Sequence, residues 1–211
     1  MTVGHANDPV SGLILAGGKS RRLGIDKTIM VWPPGNPAGT TLLEHTVERL
    51  QLVCAEVIVV GYRAERTLPA GVQVIPDRFP HGGPLGGLCT GLEAAAHEHA
   101  LAVPVDMPFL SVPLLQWMVA QPRDYDVLAP IYNLIQTLHA IYSKRCIEPI
   151  RRRMASGQRS MIALLEEPDL RVRSISQEHV ERLAPGGQCF ANLNTPDDLE
   201  EAVLSLSAGE R

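Results

Sequence analysis

The apolar residues of this chain fall into short continuous runs that alternate with segments of helical periodicity. Runs of β-branched and other apolar residues predict buried strands, because the strands of a parallel sheet that is covered on both faces show little alternation with polar residues. These runs lie at 10–15, 57–60, 72–75, 101–105, 127–129, 138–142 and 172–175. Apolar residues at helical spacing predict helices at 43–50, 88–96, 112–119, 147–154 and 161–165, and a last helix after Thr195.

Two of these helices carry clear start signals. Thr41 with Glu44 has the pattern of a capping box, and Thr195 followed by Pro196 offers a good N-cap and first helical position. Prolines and glycines at 33–39 predict a surface loop instead. Because strands and helices alternate along the chain, we expect an α/β fold: a Rossmann-like three-layer sandwich whose mainly parallel sheet has helices on both faces.

Composition narrows the class of protein. A length of 211 residues favours a single domain over 1–211. A formal net charge of −4 and only 4% aromatic residues argue against a nucleic-acid partner. The chain does not open on a basic region followed by an apolar run, and the apolar segment 100–120 holds Asp106 and three prolines, so neither a secretory signal nor a membrane partner is expected. Four widely spaced cysteines indicate free thiols in the cytoplasm.

A glycine loop follows the first predicted strand. Gly17 and Gly18 can present backbone N–H groups to an anion, and four of the 19 cations of the chain lie within 19–27: Lys19, Arg21, Arg22 and Lys27. The glycine spacing excludes both a P-loop and a dinucleotide fingerprint. This concentration of positive charge in an acidic chain favours a triphosphate site, with a solvated basic turn as the alternative.

Other polar residues lie where a parallel sheet collects its ligands, at the carboxyl ends of the strands. Asp106 follows the strand at 101–105, where its carboxylate is equally suited to cap a helix or to bind Mg²⁺. Asp77 follows the strand at 72–75 and is suited to a turn or to a ligand contact. The glycines of 82–87 either make a tight connection before the next helix or let a base and ribose approach the backbone.

The segment 15–27 carries a specific resemblance. It reads Leu-Ala-Gly-Gly-Lys-Ser-Arg-Arg-Leu-Gly-Ile-Asp-Lys, which resembles the Leu-Ala-Gly-Gly-x-Ser-x-Arg-Met-Gly-x-Asp-Lys signature of molybdenum cofactor guanylyltransferases and departs from it only at Leu23. Further segments similar to this family follow in order at 76–77 with 83–88, at 105–108, at 136–142 and at 192–196. Thr137 stands where the family usually has proline, and the segment 60–62 lacks the asparagine that relatives often carry.

The resemblance implies a fold of the nucleotide-diphospho-sugar transferase type and a set of site residues. Arg22, Lys27 and Asp106 would be catalytic, and Asp106 would also bind the cofactor Mg²⁺. Asn192 and Asn194 would contact a pterin substrate, whereas their alternative role is to hold a turn. The nucleotide would contact Leu15, Ala16, Gly17, Gly18, Lys27, Asp77, Gly83, Pro84, Leu85 and Asp106.

The same resemblance implies a reaction: GMP moves from GTP to the terminal phosphate of molybdenum-bound molybdopterin, and pyrophosphate leaves. GTP and molybdopterin would then be the partners, together with proteins that deliver the pterin or receive the product. Three alternatives stay open. They are a molybdopterin cytidylyltransferase, a sugar- or alditol-phosphate nucleotidyltransferase, and a carrier that binds nucleotide or cofactor without turnover.

Overall fold

The computed structural model describes residues 8–17, 26–35, 39–62, 68–79 and 81–209. The strands of this part are β1 (Val10–Leu15), β2 (Val31–Trp32), β3 (Thr40–Thr41), β4 (Glu56–Val60), β5 (Val72–Ile75), β6 (His99–Pro104), β7 (Val127–Tyr132), β8 (Leu134–Ile135), β9 (Ala140–Ser143) and β10 (Val172–Ile175). Its α-helices are α1 (Leu42–Gln51), α2 (Gly83–Ala94), α3 (Val112–Val119), α4 (Ile147–Ala155), α5 (Met161–Leu164), α6 (Gln177–Leu183) and α7 (Pro196–Gly209). Short 3₁₀ helices lie at Lys144–Cys146 and Pro185–Phe190.

The main sheet has the strand order β10-β7-β9-β6-β1-β4-β5 in the described residues. β1 pairs in parallel with β4 and β6, and parallel pairs also join β4 to β5 and β10 to β7. Strand β9 runs antiparallel to its neighbours β6 and β7. The predicted mainly parallel sheet is therefore confirmed, and β1, β4, β5 and β6 all end at the same edge.

Helices cover both faces of this sheet, as the sequence predicts. Successive strand residues point to opposite faces, so Leu13 packs into one apolar cluster and Ile14 into the other. Helices α1, α3 and α6 contribute buried residues to the Ile14 cluster, whereas α2, α4 and α5 contribute to the Leu13 cluster. The result is the expected three-layer arrangement, and its carboxyl edge is left to the loops.

A third, smaller apolar cluster includes a two-stranded ribbon that the sequence patterns do not predict. Strands β2 and β3 pair antiparallel. Trp32 of this ribbon is buried together with Leu42 and Leu193. Helix α7 packs on the same cluster, and its predicted cap is present, because Thr195 Oγ1 accepts a hydrogen bond from the Asp198 N–H at 3.2 Å.

Helix α2 begins earlier than the sequence predicts. The expected glycine loop up to residue 87 is wrong, since the helix starts at Gly83. Close packing explains the glycines: a Cβ at Gly86 would lie 2.8 Å from the carbonyl oxygen of Phe79, and a Cβ at Gly82 would lie 3.0 Å from the same atom. These two glycines let the helix approach the turn after β5, a role that periodicity cannot reveal.

The cysteines are free thiols, as predicted. Burial raises the pKa of each of the four to about 12, so none is a thiolate at neutral pH. Among the helices of the described ranges, none has the length and apolar character needed to cross a membrane.

Candidate active site

The candidate site lies at the carboxyl edge of the parallel strands. In the pairing register, Leu15 at the end of β1 lies opposite Val60 at the end of β4 and Pro104 at the end of β6. Val60 in turn lies opposite Ile75 at the end of β5. The residues that follow these strand ends therefore meet at one edge, which is where open α/β sheets bind their ligands.

Three side chains from distant parts of the chain converge at this edge. The Lys27 ammonium lies 2.8 Å from Asp106 Oδ2 and donates a second hydrogen bond, at 2.9 Å, to Asn194 Oδ1. The side chains of Lys27 and Asp106 are only 11% and 19% exposed. Solvent therefore screens this ion pair less than it screens a surface pair. The sequence names all three residues but does not predict that they touch.

The second carboxylate oxygen of Asp106 is suited to bind a cation. Asp106 Oδ1 is buried and accepts no hydrogen bond from the described residues. A buried carboxylate oxygen without a partner is rare in proteins, and a bound cation would satisfy it. The described residues contain no cluster of three or more metal-ligating side chains. A metal here would depend on Asp106 together with substrate oxygens and water, a donor set that Mg²⁺ accepts.

The C-terminal segment is bound to the Asp106 turn through its backbone. The Leu193 N–H donates to the Asp106 carbonyl oxygen at 2.9 Å. The N–H groups of Asn194 and Thr195 both donate to Asp198 Oδ2, and these bonds lower the pKa of the Asp198 carboxyl. The segment is thus held independently of the side chains that face the site.

The two asparagines of this segment differ in their contacts. Asn192 Nδ2 donates to the carbonyl oxygen of Phe190 at 3.3 Å, a local contact of the kind that holds turns. Asn194 instead directs its side-chain oxygen to Lys27. Both residues are exposed to solvent.

The described part of the glycine loop lies against the turn after β4. Ala16 donates its N–H to the Val60 carbonyl oxygen at 2.9 Å, and Gly17 is exposed. Gly61 has φ +81°, and a Cβ there would lie 3.0 Å from the Cα of Gly17. Gly61 therefore permits a close approach of two backbones, a role that we did not predict from the sequence. A glycine directly after a strand is the signal that could have found it.

Asp77 holds a turn through one carboxylate oxygen, and its second oxygen leaves the expected nucleotide contact open. Its Oδ1 accepts hydrogen bonds from the Phe79 N–H at 2.8 Å and from the Thr90 hydroxyl at 3.1 Å, which fix the turn. Its Oδ2 faces the glycine loop, at 3.9 Å from the position of a Cβ on Gly17. One oxygen thus holds the turn while the other is directed at the candidate site.

The remaining residues that the resemblance assigns to the nucleotide differ in their exposure to solvent. Gly83 and Pro84 are exposed at the start of α2, where a ligand can reach them. The side chain of Leu85 is completely buried in the Leu13 cluster, so the nucleotide contact that the resemblance implies would involve its backbone. The helix turns Leu85 inward, onto the sheet, where an apolar side chain is most stable. Gly18 and Arg22, like Lys19 and Arg21, lie outside the described residues.

The comparison with known protein families agrees with this geometry. The family profile described as "MobA-like NTP transferase domain" matches residues 12–184, which include the glycine loop, Asp77 and Asp106. The chain belongs to this family. As a MobA-like NTP transferase, it is an enzyme of the nucleotidyltransferase class.

Relatives of this MobA-like NTP transferase match nearly its whole length. A protein of Pelotomaculum thermopropionicum named "Probable molybdenum cofactor guanylyltransferase" is 37% identical over 91% of both chains. The "Molybdenum cofactor guanylyltransferase" of Desulfosudis oleivorans is 32% identical over 96% of this chain and 98% of its own length. The crystal structure of molybdopterin-guanine dinucleotide biosynthesis protein A from Archaeoglobus fulgidus superposes with a TM-score of 0.76. It covers 94% of this chain and 100% of the other, at 23% identity, and thereby confirms the fold.

The described side chains of this NTP transferase suit the positioning of phosphate groups and the stabilisation of their negative charge. Lys27 brings an ammonium to the strand edge, Asp106 brings a carboxylate with one unpartnered oxygen, and Gly17 is an exposed glycine two residues after the end of β1. Displacement at a phosphorus atom needs this kind of arrangement and no covalent protein nucleophile.

Proposed function

We propose that this chain is a molybdenum cofactor guanylyltransferase. It transfers GMP from GTP to the terminal phosphate of molybdenum-bound molybdopterin, forms the guanine dinucleotide cofactor and releases pyrophosphate. One structural observation carries the proposal: Lys27, Asp106 and Asn194 converge at the strand edge. The relatives that match this chain over nearly their whole length are named molybdenum cofactor guanylyltransferases.

On the donor side, the glycine loop and Lys27 would hold the triphosphate. The ammonium of Lys27 stabilises negative charge on the phosphates, and the exposed Gly17 lets their oxygens approach the backbone. Gly83 and Pro84 lie open at the start of α2, which suits contact with the ribose or base. Arg22 would add a second cation to the phosphates, and Gly18 a second glycine amide.

The chain would hold Mg²⁺ through Asp106. The unpartnered Oδ1 of this carboxylate supports the assignment, because it lies beside the ammonium that faces the phosphates. When bound, a divalent cation neutralises charge on the triphosphate. Lys27 meanwhile compensates the charge of Oδ2 and limits its repulsion of the nucleotide.

On the acceptor side, Asn192 and Asn194 would direct the pterin phosphate toward the α-phosphorus of GTP. Both are exposed on a segment that the Leu193 N–H fixes to the Asp106 turn. Attack by the acceptor phosphate and departure of pyrophosphate are one displacement, so the protein contributes alignment and charge. The four free thiols suit a cytoplasmic location, where they stay reduced.

Thermal unfolding with each of GTP, CTP, ATP and UTP plus Mg²⁺ tests the donor. A nucleotide that binds only the folded chain raises its stability with the logarithm of ligand concentration, so GTP should give the largest increase in Tm. Incubation with molybdopterin should then yield pyrophosphate and the dinucleotide only when GTP is present. The largest increase with CTP would contradict the guanylyl assignment, and GTP binding without pyrophosphate release would favour a carrier.

A further inference from the structure

Asn194 contacts Lys27, the residue that we assign to the donor phosphates, in addition to the pterin role that the sequence resemblance implies for it. Its Oδ1 accepts a hydrogen bond from Lys27 Nζ at 2.9 Å, and the same ammonium lies 2.8 Å from Asp106 Oδ2. Lys27 and Asn194 are 167 positions apart in the chain. The contact therefore requires the complete fold and links the last part of the chain to the glycine loop region.

We propose that Asn194 is a positioning residue that fixes the Lys27 ammonium for the phosphates of the nucleotide. This inference rests on the proposed function, in which Lys27 binds those phosphates. An ammonium has three N–H donors. Among the described residues, Asp106 and Asn194 accept from two of them, which leaves the third for a phosphate oxygen. The flexible lysine side chain then loses less rotational freedom when the nucleotide binds.

The chemistry of the amide suits this task better than a second carboxylate would. Lys27 already has one carboxylate partner in Asp106, which balances its charge. A neutral amide oxygen adds a hydrogen bond without adding negative charge beside the triphosphate. Asn194 can therefore orient the ammonium while leaving the electrostatic attraction for phosphate intact.

Asn194 is itself held firmly enough to orient another group. Its N–H donates to Asp198 Oδ2 at 2.7 Å, and the neighbouring Leu193 N–H donates to the Asp106 carbonyl oxygen at 2.9 Å. Both bonds use the backbone, so replacing the Asn194 side chain leaves them in place. The substitution consequently removes the contact with Lys27 and preserves the segment that carries it.

A double-mutant cycle on nucleotide affinity tests the inference without the pterin acceptor. Binding of GTP with Mg²⁺ is measured by calorimetry for the full chain and for Asn194→Ala, Lys27→Ala and the double variant. Asn194→Ala should weaken binding by roughly 5- to 10-fold, and Lys27→Ala by more. Because Asn194 acts through Lys27, its replacement should change the affinity less than about twofold in the Lys27→Ala background.

Gln158→Ala is the matched control, because Gln158 is an exposed amide whose side chain makes no hydrogen bond among the described residues and has no assigned role in the site. It should leave GTP affinity unchanged. The inference is overturned if Asn194→Ala binds GTP as the parent chain does, or if the same loss persists in the Lys27→Ala background. Thermal unfolding without nucleotide establishes that each variant is folded, and Asn194→Ser replaces Asn194→Ala in the cycle if the latter is not.

The outcomes separate this inference from the proposed function. If the parent chain binds CTP in place of GTP, the guanylyl assignment fails, and the same cycle with CTP decides the role of Asn194. If GTP binds and supports transfer while Asn194→Ala leaves its affinity unchanged, only the positioning role fails.

Discussion

The backbone N–H of Leu193 donates a hydrogen bond to the carbonyl oxygen of Asp106 at 2.9 Å. This bond joins the turn after β6 to the segment before α7 without using either side chain. The Asp106 side chain is thereby free to interact with Lys27 through one oxygen and with a ligand through the other. Substitution of this carboxylate should consequently alter the chemistry of the site more than its architecture.

Asp106→Asn should reduce GMP transfer by at least about 100-fold, because the amide cannot replace a carboxylate toward a metal or the Lys27 ammonium. The variant should stay folded, with a loss of about 1–3 kcal/mol in the free energy of unfolding, since Lys27 loses its counter-charge. Pyrophosphate release and thermal unfolding measure the two effects. Asp124→Asn is the control, because Asp124 is 60% exposed and its pair with Arg173 lies on the surface. Unchanged turnover in Asp106→Asn would contradict a catalytic role.

Gly17→Ala should weaken nucleotide binding without destabilising the fold. A Cβ at Gly17 would meet Asp77 Oδ2 and the Gly61 Cα at 3.9 Å, an ordinary contact distance, yet it would project from the exposed loop that we assign to the phosphates. We expect a change of at most about 0.5 kcal/mol in unfolding free energy and a clear increase in the Kd of GTP.

Gly61→Ala provides the contrast, because its φ of +81° strains any side chain and its Cβ would lie 3.0 Å from the Gly17 Cα. This variant should be destabilised by about 1–3 kcal/mol, as measured by denaturant unfolding. If both variants lost stability alike, the proposed separation between the ligand-facing and the packing glycine would be wrong.

Two adjacent glycines of α2 should respond oppositely to alanine. A Cβ at Gly86 would lie 2.8 Å from the Phe79 carbonyl oxygen, so Gly86→Ala should cost about 1–3 kcal/mol in unfolding free energy. A Cβ at Gly87 would lie 3.4 Å from Leu15 Cδ2, an ordinary contact, so Gly87→Ala should be neutral or stabilise by up to about 1 kcal/mol. Urea unfolding of both variants measures the difference, and equal effects would refute the packing explanation for Gly86.

His139 should make stability depend on pH. It is completely buried with its ring against Phe190, and burial lowers its pKa from 6.5 to about 4. The unfolded chain binds a proton below pH 6.5 that the folded chain excludes, so stability present at pH 7 is lost as the pH falls from about 6.5 toward 4. At about 1.4 kcal/mol per pH unit, the full loss is about 3 kcal/mol.

His139→Leu tests this dependence, because leucine fills the site without a titratable group. The unfolding free energy of the variant should fall less steeply than that of the parent chain between pH 6.5 and 4.5. Urea unfolding at several pH values compares the two slopes, and identical slopes would exclude His139 as the source.

Local patterns predicted much of the fold correctly. The apolar run of β1, the helix α3 and the capping box of Thr41 with Glu44 occur as expected, because each depends on residues close together in the chain. Cues that depend on contacts between elements were missed. The ribbon of β2 and β3 is too short to show periodicity. The glycines at the start of α2 are typical of a loop in the sequence, and only their packing against Phe79 explains why they lie in a helix.

The sequence by itself determined the class of fold and most of its elements, because residue type and periodicity act locally. Its resemblance to a known family supplied the candidate residues Lys27, Asp106 and Asn194. Only the tertiary structure decided that these three side chains touch, since Lys27 is 79 positions from Asp106 and 167 from Asn194. It also decided that Leu85 faces the core while Gly83 stays open. Such relationships depend on the register of the parallel strands, which brings their carboxyl ends to one edge, and on the packing of α2 against the sheet.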